Sequence, residues 1–272
     1  MRRYWLLYAA LALACAACTN VSAQVQYATG QNVAPTFEGW ERNPDGTFRL
    51  YFGYYNRNAE EQIDVPIGPE NRFDLGTGDQ GQPTHFYAGR RWFVFSVVVP
   101  ADWPPDKRLV WSLTTKSRTN LSKGWLQPEW EVDKLLISKN AISDPFLRTS
   151  NSNPTPDNQA PVLNGSPAQT ITLPATATLT ATATDDGLPK PGPGDRGGRV
   201  QGVEIRWILY RGPGPVAFDP EVSPAVYGKP LNSETKVSFS VPGSYRIRAI
   251  ATDGAMFSTF DVDVKVNAGA SP

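Results

Sequence analysis

The chain has very little cysteine and histidine. Its only cysteines are Cys15 and Cys18, and its only histidine is His85. A zinc site of the common His/Cys type needs three or four such ligands, so this class is excluded. A serine or cysteine hydrolase of the usual kind is not indicated, because no Gly-x-Ser-x-Gly elbow occurs and no cysteine follows residue 18. We expect His85 to be a loop histidine bonded to the backbone.

Long hydrophobic runs are also lacking, apart from one at the start of the chain. Arg2 and Arg3 precede an almost wholly apolar run from Tyr4 to Ala17, and Val21-Ser22-Ala23 has the small-x-small pattern that signal peptidase cleaves. The sequence therefore predicts a signal peptide over residues 1–23 and a mature chain without cysteine. No later stretch approaches the roughly 20 apolar residues of a membrane helix.

A lipidated Cys18 is the alternative processing of this segment. Ala16 and Ala17 precede Cys18, as in bacterial lipoproteins, but Cys15 occupies a position where such signals prefer Leu or Val. Cleavage after Ala23 is favoured, and both routes predict export to the periplasm, the cell surface or the medium.

Excess charge of either sign is absent. The chain has 26 basic and 26 acidic side chains, and the signal segment removes two arginines, which leaves 24 and 26. Nucleic-acid binding is disfavoured because it needs a basic face that displaces counterions.

The sequence indicates two domains. Six tryptophans lie between residues 36 and 148, whereas only Trp207 follows residue 158. Residues 149–157 contain no apolar residue other than proline, which is typical of a linker. We expect domains over 24–148 and 158–268 that fold separately.

The first domain shows the period-two pattern of half-buried strands. Phe48, Leu50, Phe52 and Tyr54 alternate with other residues, and two further sets do the same: Phe93, Phe95, Val97 and Val99; and Leu109, Trp111 and Leu113. Asn43-Pro44-Asp45-Gly46 predicts a turn that joins 37–42 to 47–56 in a hairpin. Residues 128–139 alone have a helical pattern.

The second domain repeats the pattern. The predicted strands are 175–184, 203–210, 236–241, 245–252 and 260–266. In the second of these, Val203, Ile205, Trp207 and Leu209 share one face, with Glu204 and Arg206 on the other. The spacing predicts an immunoglobulin-like β-sandwich, and the chain as a whole is expected to be all-β with two tandem sandwiches.

Several phrases of the second domain resemble PKD-type and cadherin-like immunoglobulin modules of bacterial proteins. They are Asn158-Gln-Ala-Pro-Val162, Ala183-Thr-Asp-Asp-Gly187, the lone Trp207, Pro242-Gly-Ser-Tyr245 and Ala251-Thr-Asp-Gly254. The resemblance implies a sandwich in which the Tyr245 hydroxyl bonds back to the corner backbone. The loop 189–198 is longer than in these modules.

The first domain resembles a β-domain of uncharacterised secreted bacterial proteins. The resemblance rests on the phrases Gly39–Gly46 and Gln82–Phe86. It implies no activity.

Acidic and amide side chains follow three strand ends of the second domain. In an immunoglobulin-like topology these loops meet at one pole of the sandwich. They carry Asp157, Asn158, Asp185, Asp186 and Asp253. Such oxygen ligands suit a hard cation, so we expect a calcium site there, as in some of the resembling modules. The alternative is that these side chains only bond their own turns.

Trp103, Trp125 and Trp130 lie in loop-like surroundings. A flat ring there could stack on a sugar, although covering the core ends is the more common role of such residues.

These patterns favour an exported, non-enzymatic envelope or extracellular protein, acting as a spacer or as a binding module for a protein or polysaccharide. The alternative is a secreted hydrolase with an unrecognised carboxylate pair, which sequence alone leaves open because the chain has 26 acids.

Overall fold

The computed structural model describes residues 27–147, 155–190 and 202–269. The predicted signal peptide, both cysteines, most of the 149–157 linker and most of the 189–198 loop lie outside these residues. Within the described ranges, no helix is long and apolar enough to cross a membrane.

The first unit contains eight strands, one short α-helix and two 3-10 helices. The strands are β1 (Val33–Arg42), β2 (Phe48–Asn56), β3 (Ile63–Asp64), β4 (Asn71–Phe73), β5 (His85–Phe86), β6 (Gly89–Val99), β7 (Leu109–Thr115) and β8 (Arg118–Gly124). The helices are a 3-10 turn at Pro128–Trp130, α1 at Lys134–Asn140 and a second 3-10 turn at Ala141–Ser143. The helical segment predicted over 128–139 is therefore present in two pieces.

Two three-stranded sheets enclose the core of this unit. Their strand orders are β1-β2-β6 and β4-β7-β8, and β3 pairs with β5 beside them. Phe52 from one sheet meets Phe73 and Trp111 from the other, with ring centroids 5.2 and 6.3 Å apart. The apolar alternation of β2 and β7 was predicted, and the alternating residues Phe48, Leu50, Phe52, Tyr54, Leu109, Trp111 and Leu113 are all buried.

The predicted hairpin is confirmed. β1 and β2 pair in antiparallel register from Val33 opposite Asn56 to Arg42 opposite Phe48. The turn closes with the Asn43 N–H donating to the Thr47 carbonyl at 2.8 Å. Gly46 has φ +86°, a conformation that glycine adopts without a steric penalty.

A bulge changes the direction of one predicted core residue. Phe52 pairs with Phe95 and Tyr54 pairs with Arg91, so three residues of β6 lie opposite Gly53 alone. Within this bulge Phe93 has φ +49°. Its side chain therefore leaves the core that holds Phe95 and joins a different cluster, described below.

The second unit is a two-sheet sandwich. Its strands are β9 (Val162–Gly165), β10 (Gln169–Thr172), β11 (Ala177–Thr184), β12 (Glu204–Arg211), β13 (Val216–Asp219), β14 (Leu231–Phe239), β15 (Gly243–Thr252) and β16 (Phe257–Asn267). The sheet orders are β10-β16-β15-β12 and β13-β14-β11-β9. This is the strand order of immunoglobulin-like sandwiches, so the predicted fold class is confirmed.

Two residues that the resemblance singled out have the expected roles. Trp207 is buried between the sheets, and its indole N–H donates to Ser233 Oγ at 3.0 Å. The Tyr245 hydroxyl donates to the Val241 carbonyl at 2.7 Å, which is the bond expected at the corner.

The two units share a buried apolar contact, here called the seam. It forms where the outward face of β12 and β15 meets β6 and the segment around α1. Its buried members are Phe93, Ala141 and Leu147 from the first unit and Ile208 and Ile250 from the second. The outward face of β12 is therefore covered by protein rather than by solvent.

Polar contacts flank the seam. The Tyr87 hydroxyl accepts from the Leu209 N–H at 2.9 Å, and Arg211 forms an ion pair with Asp79 at 2.8 Å. Arg248 donates to the Val94 carbonyl at 2.5 Å. The predicted linker bounds and the separate folding of the two domains stay predictions, but the folded halves are in contact.

Candidate functional site

Three loops meet at the pole of the second sandwich. Asn158 precedes β9, Asp185 follows β11 and Asp253 follows β15. The Asp253 carboxylate interacts electrostatically with Asp185 and with the Asn158 side chain, which shows that the three residues lie together. The structure thus places three of the five predicted metal ligands in one cluster, here called the polar cluster.

Asp253 carries a carboxylate that is only half satisfied. Its Oδ1 accepts from the N–H groups of Ala255 and Met256 at 2.7 and 2.6 Å. Its Oδ2 is buried and makes no well-formed hydrogen bond with the described residues, although the Asn158 side chain lies close enough to lower the pKa of this carboxyl. Burial, with a smaller contribution from the charge of Asp185, raises the pKa of Asp253, whereas the two backbone hydrogen bonds and the Asn158 side chain lower it, and the net result is a pKa of about 6.

Asn158 and Asp185 also have buried polar atoms without partners. Asn158 is 0% exposed, and neither its Oδ1 nor its Nδ2 makes a well-formed hydrogen bond. Asp185 Oδ2 accepts from the Gly187 N–H at 3.0 Å, but Oδ1 has no partner, and burial raises the pKa of this carboxyl. Buried polar atoms without partners are rare and cost about 1–3 kcal/mol each.

The other two predicted ligands lie outside the cluster. Asp157 is exposed. Asp186 is exposed as well, and its two oxygens accept from the N–H groups of Leu188 and Gln159, both at 2.9 Å. In the described part of the chain, no three side chains of His, Cys, Asp or Glu lie together in a way that could hold a metal ion. The structure therefore assembles two carboxylates and one amide.

This donor set fits a hard cation. Asn158 Oδ1, Asp185 Oδ1 and Asp253 Oδ2 are all oxygens, and calcium takes 6–8 oxygen ligands that include amide oxygens and waters. A bound cation would satisfy the three oxygens and offset the repulsion between the two carboxylates.

The first unit touches both sides of this cluster. Lys134 of α1 donates from Nζ to the Asn158 carbonyl at 3.0 Å, and Ser138 Oγ donates to the Ala255 carbonyl. The loops that carry Asn158 and Asp253 are thus held against α1.

The three candidate sugar-stacking tryptophans differ in exposure. Trp103 is buried, its indole N–H donates to the Lys107 carbonyl, and the Lys107 ammonium lies 4.1 Å from its ring. Trp125 is half-buried, with the Arg108 guanidinium 5.3 Å from its ring. Trp130 is 43% exposed. Only Trp130 offers a substantially open ring.

Phe37 links Trp125 to Trp130, which sequence reasoning missed. Its ring is stacked on both, at centroid distances of 6.3 and 5.5 Å. The sequence pattern of its strand gave no sign that Phe37 contacts surface tryptophans. The three rings come together only because segments distant in sequence pack side by side in the fold.

His85 bonds to side chains rather than to the backbone that was expected. Its Nδ1 lies 2.7 Å from Asp64 Oδ1, and its Nε2 lies 2.8 Å from Gln62 Oε1. The ring is buried and packs edge-on against Tyr87. No nucleophilic side chain is among these partners.

Glu38 and Asp144 are two buried carboxyls, and the charge of Asp144 contributes to raising the pKa of Glu38. Burial raises the pKa of both, and the guanidinium groups of Arg90 and Arg91 respectively oppose this shift. Arg90 lies 2.5 Å from Glu38, and Arg91 lies 3.1 Å from Asp144. Because each carboxyl is buried and bonded to an arginine, this pair does not face a substrate as a glycosidase pair would.

No protein-family model and no curated protein sequence matches the chain. Similar solved structures include the PKD domain of human KIAA0319, at 16% identity over 45% of this chain and 96% of that one, with a TM-score of 0.24. Domains 4 and 5 of the S-layer protein SbsC show 12% identity over 88% of this chain and 98% of theirs, with a TM-score of 0.26.

The fibronectin(III)-like modules of Clostridium thermocellum CbhA show 13% identity over 87% of this chain and 95% of theirs, with a TM-score of 0.24. A PKD domain and immunoglobulin-like modules are thus among the structures this chain is similar to. At these identities and scores the likeness carries no functional argument, and the fold class rests on the strand order described above.

Proposed function

We propose that the chain is an exported, non-enzymatic protein that acts as a stiff spacer and binding module in the envelope or outside the cell. The observation that carries this proposal is the seam, because it buries apolar side chains of both sandwiches and fixes one against the other. A spacer built this way keeps its two sandwiches in a fixed relative orientation and does not bend between them. Its partner would be an envelope or extracellular protein or a polysaccharide.

Calcium is the cofactor that we propose for the polar cluster. The buried oxygens of Asn158, Asp185 and Asp253 support it because none of them accepts a well-formed hydrogen bond from the described part of the protein. The hydrogen bonds from Lys134 and Ser138 to the loops of the polar cluster connect this cluster to the first unit. A bound ion would order the loops against which α1 packs and would stiffen the seam from one end.

Thermal melts of the mature chain test the calcium proposal. We expect calcium to raise the melting temperature relative to chelator, since a ligand of the folded state stabilises it by mass action. Asp253→Ala and Asp185→Ala should abolish the rise, whereas the control Asp186→Ala should keep it. Identical melts in calcium and chelator for the unaltered chain would end the proposal.

Trp130 is the residue that we propose to contact a polysaccharide. Its exposed ring and the stacked Phe37 behind it support this, because a supported flat ring offers an apolar face to a sugar. In affinity gels with a panel of polysaccharides, Trp130→Ala should lose retardation, while the exposed aromatic control Tyr55→Ala should not. Retardation unchanged by Trp130→Ala would remove this surface from the proposal.

A substrate panel tests the non-enzymatic character of the protein. Purified chain should release no reducing ends from any polysaccharide that it binds. Turnover that one Asp or Glu substitution abolishes would favour the secreted hydrolase instead.

A further inference from the structure

A cleft of about 530 Å³ lies between the two units, next to the seam. One wall comes from β2, β6 and α1, and the other from β15 and β16. Its aromatic members are Tyr51, Phe93, Phe95 and Phe257. This volume falls within the range of small-molecule sites, which occur preferentially at domain interfaces.

Cations outnumber anions in the lining. The basic side chains are Arg49, Lys134, Arg246 and Arg248, and the acidic ones are Glu41 and Asp261. Arg248 is fully used, because Asp261 holds it at 2.7 and 2.9 Å and the Val94 carbonyl accepts from it. Arg246 is paired with Asp263 at 2.8 Å.

Arg49 is the lining arginine that has no close ion pair with an acid among the described residues. Its nearest acid is Glu41, whose Oε1 lies 3.7 Å from Arg49 Nε and already accepts from the Tyr51 hydroxyl at 2.6 Å. Arg49 Nε is buried and makes no hydrogen bond within the described residues. The guanidinium is thus held at the cleft without a well-formed bond to any anion.

Ser258 supplies a second unused group from the opposite wall. Its Oγ is buried and also has no hydrogen-bond partner in the described part of the chain. Ser96, Ser138 and Thr259 add further hydroxyls to the lining. Unused buried donors are costly unless a ligand or water completes them, so two of them on facing walls indicate a place for a ligand.

We propose that this cleft binds an anionic sugar unit, a pyranose that carries a carboxylate or a sulfate group. The anion would meet Arg49 and the Ser258 hydroxyl, since guanidinium groups bind such anions through charge-assisted hydrogen bonds. The apolar face of the ring would lie against Tyr51 or Phe257, and its hydroxyls would meet the serine and threonine side chains. This proposal rests on the proposed function only in taking the ligand to be a sugar. The cleft itself is a different surface from the one at Trp130.

Calorimetric titration of the full mature chain tests the proposal. The probes are glucuronate, glucose 6-sulfate and neutral glucose, each in calcium and in chelator, because uronates themselves bind calcium. We expect binding of at least one anionic sugar and none of glucose, and the pair of anions tells which group the cleft selects. Arg49→Ala and Ser258→Ala should each weaken that binding by about tenfold or more.

Two controls keep the result specific, one on binding and one on stability. Arg118→Ala, which removes an exposed arginine from β8, should leave the affinity unchanged. Arg49→Ala and Ser258→Ala should melt close to the temperature of the unaltered chain, because the Arg49 side chain is 42% exposed and its long ion pair with Glu41 contributes little, and because the Ser258 hydroxyl has no partner among the described residues to lose. Failure of the unaltered chain to bind either anion, or binding that survives both cleft variants, would overturn the proposal, and binding lost only in Trp130→Ala would assign the sugar to the other surface.

Discussion

At the residue scale, the Asp253 carboxyl shows how the polar cluster opposes folding when it holds no cation. Its side chain is 4% exposed, and burial with the neighbouring Asp185 raises its pKa to about 6 from an ordinary value of 3.8. The folded chain therefore holds this proton more tightly than the unfolded chain does. Stability from this group is intact below about pH 4, is lost as the pH rises towards 6, and stays lost at neutral pH.

Asp253→Asn should reveal this cost. The amide oxygen can still accept from the Ala255 and Met256 N–H groups, but the buried charge is gone. In chelator at pH 7 we expect the variant to be more stable than the unaltered chain by up to about 3 kcal/mol, and by little at pH 4. Denaturant unfolding at the two pH values measures the difference, and an equal effect at both would contradict the assignment.

The sequence predicted which residues form the polar cluster, because the loop topology of the expected sandwich placed Asn158, Asp185 and Asp253 at one pole. It could not tell that Asp157 and Asp186 would remain exposed. Asp185 and Asp186 are adjacent in an Asp-Asp-Gly turn, so the sequence alone does not distinguish their surroundings. The backbone geometry of the turn directs Asp186 towards the N–H groups of Leu188 and Gln159, from which it accepts hydrogen bonds.

At the scale of the element, β15 and β16 carry two Arg-Asp pairs in different surroundings. Arg248 and Asp261 are 9% and 29% exposed in their side chains, whereas Arg246 and Asp263 are 34% and 60% exposed. Arg248 also stacks on the Tyr210 ring at 3.6 Å. The buried pair packs against the first unit, whereas the exposed pair is open to solvent at the edge of the cleft.

Removing each arginine should therefore give different results. Arg248→Ala leaves Asp261 and the Val94 carbonyl without their partner, and we expect a loss of about 3 kcal/mol. Arg246→Ala, the matched control two residues away, should cost less than about 1 kcal/mol because an exposed pair contributes little. Chemical denaturation of the two variants measures this, and equal losses would mean that Arg248 does not hold the seam.

The elements themselves were largely predictable, and the exception has a local cause. Alternation predicted that Phe93 would share a face with Phe95, Val97 and Val99. Alternation assumes an uninterrupted strand, but the bulge at Phe93 adds residues opposite Gly53 and reverses its side chain. A Cβ on Gly53 would lie 2.4 Å from the Arg91 carbonyl oxygen, so the glycine permits this close approach.

At the scale of the whole molecule, the seam makes one body of two sandwiches. Its signal was present in β12, where Trp207-Ile208-Leu209-Tyr210 is apolar at four consecutive positions. A strand that is apolar on both faces is buried on both. Glu204 and Arg206 on the outward face of β12 predicted instead that this face is exposed to solvent. The residues that hydrogen-bond across the seam are more than 100 positions apart in sequence, so no local sequence pattern could predict their contact.

The most direct test of the central claim is to cut the chain between its halves and ask whether they stay together. Residues 150–153 would be replaced by a protease recognition sequence, and the cleaved protein would be passed over a size-exclusion column under native conditions with intact chain as the reference. The account predicts that both fragments elute together at the position of the intact protein, and that Arg248→Ala weakens this association. Two separate peaks from the cleaved, otherwise unaltered chain would contradict it.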